Sequence, residues 1–231
     1  APAAVLCSRR RPGLVPAIGS AGLVALARRH HCWLRIVPYV GDFVPLRAPL
    51  ARVWFDPGHS GMPTPEQLGD HVALGRERTM GQDAAFGFRQ LVDIAEKALS
   101  PAMNDPTTAV QAIDQIHDLL RRLATADYPT GYYVDEPGAL RAMRPLHRWD
   151  DYLDLALTEI RQYGATSVQV QRRLRALLAD LTEATRDAPE RARPITRHLE
   201  LLELSVLTGL PEGDRELARV PDEQGLGGGP H

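Results

Sequence analysis

The chain has 231 residues, 44% of them hydrophobic and 24% charged, with a formal net charge of −2. That length can bury a real core, the composition is that of an ordinary soluble protein, and the charge gives no reason to expect nucleic acid as a partner. No run reaches the roughly 18 apolar residues needed to cross a bilayer, and Arg9 to Arg11 follow the short apolar start instead of preceding it, which excludes a signal peptide. Of the 27 basic residues only Lys97 is lysine. A GC-rich genome accounts for that bias, and its physical consequence is a set of permanent, fork-shaped cations suited to bidentate pairing. Cys7 and Cys32 are too few for a disulfide framework and read as free thiols of a reducing compartment.

Residues 1–56 mix α and β character. Leu14 to Ile18 is a short apolar run, Ser20 is a plausible N-cap, and Leu23, Val24, Leu26 and Ala27 give a short helix its apolar side before Arg28 and Arg29 close it. Cys32 to Tyr39 is rich in β-formers, Gly41-Asp42 marks a turn, and Phe43-Val44 and Val53-Trp54-Phe55 read as further short strands. His30, His31 and Cys32 are adjacent, so they cannot converge on one ion, and no metal is expected. Residues 57–64 read as a linker by their proline and glycine content.

Helical signals then dominate, over about 65–79, 82–99, 106–125, 148–163, 167–186 and 189–208, which makes 65–218 a helical bundle. In the fifth helix Val170, Leu174, Leu177, Leu178 and Leu181 recur at core-facing spacing. Asp127 to His147 reads as a long loop whose Tyr128, Tyr132 and Tyr133 pack back on the bundle or cover a pocket. Residues 219–231 read as a disordered tail. The fold class is therefore α+β, a small N-terminal β-rich module followed by a mainly α-helical bundle.

The densest polar stretch runs from Arg76 to Asp114. On its first helix Arg89, Asp93 and Lys97 are spaced four apart and form a ladder of alternating charge, while Gly87 would let another backbone approach closely. Pro101 stops that helix after Ser100, and Asp105-Pro106 matches an N-cap and first-turn proline that start the next. Thr107 and Thr108 sit on the new helix's first turn, where free N–H groups could receive an anion, with Arg76, Arg78 or Arg89 completing the site. Against that, the Asp105 carboxylate meets part of the same demand and repels an anion. Arg78, Gln82, Asp83, Ser100 and Asn104 are the polar residues that ladder, stop and start leave unexplained. There is no P-loop, GxGxxG, GxSxG or HExxH, so no catalytic residue and no cofactor are expected and the chain leans away from an enzyme. His117, three residues after Asp114, reads as a satisfied helix histidine, with an acid–base pair as the other reading.

Arg78-Thr79, Gln82-Asp83, Phe86-Gly87, Arg89 to Ala95, Ala98 to Pro101 and Asn104 to Ala109 together resemble the signature of DUF2254, a family of bacterial predicted membrane proteins, and Val40 to Val44 followed by Pro49-Leu50 resembles it too. The resemblance implies membrane-spanning helices ahead of this region in a full-length form held in the inner membrane. It implies a soluble module on the cytoplasmic side, partnered by the membrane-spanning part of the same protein, with further copies of itself as another partner it allows. The role expected is regulatory or assembly; the alternative is an anion or small-metabolite site, enzymatic or not, at the corner 78–108. The same Val40 to Leu50 segment is similar to the turn region of biotinyl and lipoyl domains, which are barrel-sandwich hybrids, but residues 1–96 hold no lysine to modify.

Overall fold

A computed structural model describes residues 1–8, 11–136 and 138–224, so the part of the expected tail beyond 224 lies outside the described residues. The chain divides into two compact units, Ala1–Phe86 with Pro129–His147, and Gly87–Tyr128 with Arg148–His231.

The first unit is built on a five-stranded sheet. Its strands are β1 (Ala4–Cys7), β3 (Cys32–Ile36), β5 (Pro49–Phe55), β6 (Tyr132–Val134) and β7 (Leu140–Met143), in the order β1-β5-β3-β7-β6. All neighbours are antiparallel except β3 and β7, where Leu34 pairs with Ala142. Helix α1 (Ser20–Arg29) lies over one face, because Leu23, Leu26 and Ala27 are buried in the same cluster as Leu34, Ile36, Val53 and Ala142. A second, two-stranded sheet joins β2 (Gly13–Leu14) to β4 (Phe43–Val44). The main sheet ends at β1 and β6 and is open, so the barrel-like reading of the Val40 to Leu50 hairpin does not hold. Gly19, not Ser20, precedes α1, and no side chain caps that helix.

Period-2 pairing places one residue from each strand in a single row on the other face of the sheet: Val5 opposite Arg52, Arg52 opposite Arg35, Arg35 opposite Met143, and Met143 opposite Tyr132. Beside this row Trp33 and Trp54 stack across β3 and β5, ring centroids 4.0 Å apart and 6° from parallel.

The segment read above as a loop of the bundle thus completes a sheet. Tyr133 packs into the first unit's core, whereas Tyr128 packs on the helices as expected. The helix expected over 65–79 is only one short turn, α2 (Pro65–Gly69), held at its start by a Thr64 and Gln67 capping box. After it the chain is drawn into pairing with the N-terminal segment, Val72 with Ile18 and Gly75 with Leu14, which a helix could not supply.

The second unit packs α3 (Ala84–Ala98), α4 (Pro106–Thr125), α5 (Trp149–Tyr163), α6 (Val168–Ala184) and α7 (Pro189–Gly209) around a core that includes Val92, Ile113, Leu120, Leu153, Ile160 and Leu174. The first residues of α3 belong to the first unit and the helix continues into the second. A short helix not foreseen, α8 (Glu212–Ala218), follows, and the start of the expected tail is fastened to α6: Arg172 Nε donates to the Val220 carbonyl at 3.0 Å.

Gly87 makes no close approach. A Cβ there would meet nothing within 4 Å, so the expectation of a facing backbone fails. Its flexibility only weakens α3, and Gly87→Ala is expected to stabilise the protein by about 0.5–1 kcal/mol in urea unfolding. A loss of stability would mean that the helix surface at Gly87 is covered.

Candidate functional site

The candidate residues divide between the two units: Arg76, Arg78, Gln82 and Asp83 lie in the first, and Arg89, Asp93, Ser100, Asn104, Asp105, Thr107 and Thr108 in the second. Each set finds its partners within its own unit.

Asp83 is the most buried of them, with a side chain 1% exposed. Its Oδ2 accepts from Arg78 Nε at 2.9 Å and Nη2 at 2.8 Å, and its Oδ1 accepts from the Phe86 backbone N–H at 3.0 Å, which caps the start of α3. The guanidinium lies 5.1 Å from the Phe86 ring centroid, so the cation is covered by an aromatic face as well. What makes room for the pair is Gly41. It sits at φ +92°, and a Cβ there would stand 2.3 Å from Asp83 Oδ2 and 2.4 Å from Arg78 Nη2. The turn glycine and the polar stretch are thus one structural device. Gln82 accepts from the Ile18 N–H at 3.2 Å and from Arg144 at 3.3 Å, and Arg144 Nε also donates to the Tyr133 hydroxyl at 2.9 Å. Arg76 is exposed.

In the second unit Arg89 is a hub. It meets Asp93 at 2.5 Å and Glu96 at 3.1 Å, and also pairs with Glu159 of α5. Burial works against its charge, but the three carboxylates outweigh burial and raise its pKa. The second rung of the ladder is absent: among the described residues no ion pair joins Asp93 to Lys97. At the corner the Ser100 hydroxyl donates to the Lys97 carbonyl at 2.7 Å, and Asn104 takes the left-handed backbone, φ +44°, that asparagine tolerates. Asp105 caps α4 as expected, accepting from Thr108 N at 3.1 Å and Thr108 Oγ1 at 2.5 Å. The Thr108 hydroxyl, then its N–H, hold the Asp105 carboxyl below the usual carboxylate range. The α4 N-terminus therefore already carries a negative charge, and Thr107 beside it is exposed.

Of a second polar network only His117 and Asp114 were foreseen. Arg173, its side chain 8% exposed on the core-facing helix α6, donates from Nε to Asp114 at 2.5 Å and from Nη2 to His117 Nδ1 at 2.9 Å. His117 Nε2 meets Asp180 at 2.8 Å, and Asp180 also pairs with Arg121. Because a guanidinium only donates, Nδ1 is the acceptor and the ring proton is on Nε2. His117 is thus a satisfied linker of α4 and α6, joined to Asp114 through Arg173.

Between α5 and α7, His198 is 2% exposed, with Nε2 3.1 Å from Asp154 and Nδ1 without a partner among the described residues. Burial pushes its pKa below the ordinary 6.5, Asp154 opposing and Arg197 assisting. A lowered native pKa means the unfolded chain binds more protons, so this contribution is intact above about pH 6.5 and is lost as pH falls through the native value. The fall in stability between about pH 7 and 5 is expected to flatten in His198→Gln. An unchanged slope in the pH series of urea midpoints would count against a buried neutral His198.

Cys7 and Cys32 are free, and burial first, then Asp56, push the Cys32 thiol up to about 11, which makes it inert. Among the described residues no group of three His, Cys, Asp or Glu side chains could hold a metal ion.

The family model described as "Predicted membrane protein (DUF2254)" matches residues 2–180. Uncharacterized proteins of Mycobacterium bovis and of two strains of Mycobacterium tuberculosis are each 33% identical over 185 residues, covering 79% of this chain and 36% of their own length. The chain thus spans about a third of the length of the curated relatives it matches. No solved structure matches it.

Proposed function

The chain belongs to the DUF2254 family of predicted membrane proteins, and on that premise we propose that it is a non-catalytic module that regulates or assembles the membrane-embedded part of a longer protein. The observation that carries this reading is the internal pairing of the polar signature. Arg78 and Asp83 pair in the gap left by Gly41, Arg89 gathers three carboxylates, and Asp105 closes the α4 N-terminus. A catalytic or anion-binding site needs convergent groups free to meet a ligand, and these are already engaged with one another. The full-length protein sits in the inner membrane in this reading, with the module on the cytoplasmic side against the membrane-spanning part of the same protein or of a second copy. Among the described residues no helix is long and apolar enough to cross a membrane itself.

Deleting the matched region from a full-length mycobacterial relative is expected to change the oligomeric state or yield of the membrane-inserted protein on native gels. Unchanged insertion and assembly would sink the reading. The anion-site alternative is tested by thermal shift with phosphates, nucleotides and carboxylates. A stabilising compound whose effect disappears in Arg78→Ala and Asn104→Ala would replace this proposal with that one.

A further inference from the structure

The face of the five-stranded sheet opposite α1 has a composition that folding alone does not explain. Arg35 and Arg52 stand directly opposite each other on β3 and β5, both exposed and neither with a carboxylate partner among the described residues. Like charges placed so are unfavourable unless a counter-charge comes from outside. The row around them is apolar and open to solvent at its ends, Val5 being 47% and Tyr132 58% exposed. The half-buried Trp33 and Trp54 stack beside it. Aromatic rings with a polar edge next to unpaired guanidinium groups on an apolar floor match the headgroup region of a bilayer, where tryptophan settles and arginine meets phosphate.

We propose that this face docks on an anionic phospholipid surface, the phosphates neutralising Arg35 and Arg52 while Trp33, Trp54, Val5 and Tyr132 enter the headgroup layer. The inference rests on the reading of the chain as a module of a membrane protein, and it names the lipid surface as a partner in its own right. Charge and place select this occupant. The unpaired groups on the face are cationic, the relatives are more than twice as long as this chain, and the chain belongs to a family described as predicted membrane proteins. A single-stranded nucleic acid fits less well, because the two indoles already use one face each on the other and the chain's net charge is −2.

The test is co-sedimentation of the 231-residue chain with vesicles of phosphatidylcholine alone and with phosphatidylglycerol added, at low and raised salt. Binding is expected only to the anionic vesicles, weakened by salt, and reduced about tenfold or more in Arg35→Gln/Arg52→Gln, with Arg35→Glu/Arg52→Glu weaker still. Brominated lipid should quench tryptophan emission in the wild type and not in Trp33→Leu/Trp54→Leu, since Trp149 is buried among the helices. Unchanged far-UV circular dichroism and unfolding midpoints certify that the variants fold. Equal binding to both vesicle types, anionic binding indifferent to both arginine variants, or absence of quenching would each overturn the proposal. So would tighter binding to a single-stranded oligonucleotide, or a concentration-dependent dimer that shields the two tryptophans. None of these outcomes bears on the deletion experiment in the full-length relative, so the two proposals fail separately.

Discussion

Gly41→Val is expected to cost at least ~3 kcal/mol, a large fraction of the ~5–15 kcal/mol that holds a domain folded. Two effects add. A β-branched residue at φ +92° is strained by about 1–2 kcal/mol, and its Cβ would occupy the space of Asp83 Oδ2 and Arg78 Nη2. Either buried Asp83 loses the half-buried Arg78 or the turn moves. The cause can be isolated with a milder change: Gly41→Ala should be far less costly in an Arg78→Ala/Asp83→Ala background, where only the backbone strain of roughly 1 kcal/mol remains. Urea midpoints of the four proteins give the coupling. Additive effects would mean that the glycine and the ion pair are independent.

Arg173→Met is the second large effect, expected at about 2–3 kcal/mol. Methionine fills much of the volume but donates nothing, so His117 Nδ1 and Asp114 both lose a partner. Because Asp114 is 42% exposed it recovers water, which keeps the cost below that of a wholly buried pair. Arg173→Lys should rescue little, since one ammonium cannot reproduce a fork that serves a carboxylate and a ring nitrogen at once. Nitrogen chemical shifts of the imidazole report the tautomer directly: the wild-type ring should show its proton on Nε2, and the Met variant a mixture. A ring already mixed in the wild type would remove the physical basis of this prediction.

The helices were legible because their signals are local. Asp105-Pro106 starts α4, and Val170, Leu174, Leu177 and Leu181 mark the buried stripe of α6, all within a few turns of sequence. The sheet was legible only in part. β7 shows no strand pattern of its own because its buried residue, Ala142, is small and its pairing partner, Leu34, lies far back in the chain. The same locality limit explains the site. Arg89 with Asp93 could be read from spacing four, but Glu159 could not, and nothing near His117 in sequence points to Arg173 or Asp180. Gly41 was readable as a turn residue, while its role as the gap for Arg78 and Asp83 depends on packing across the first unit. Arg76 and Thr107, chosen for chemical type alone, are exposed positions. The Trp33 and Trp54 pair needed only strand register, which the sequence reading left open.

The parallel joint between β3 and β7 has a consequence for synthesis. As the chain leaves the ribosome, β3 is made early and must wait with one edge unpaired while α3 and α4 emerge, because its neighbour comes only after them. Closing so long a loop is a late and slow step, and an unpaired strand edge invites association with other chains in the interval. The same route ties the fates of the two units together: each is made of two separate stretches of chain, so no single proteolytic cut releases either one intact. A truncation that stops after α4 would strand the sheet at three of its five strands.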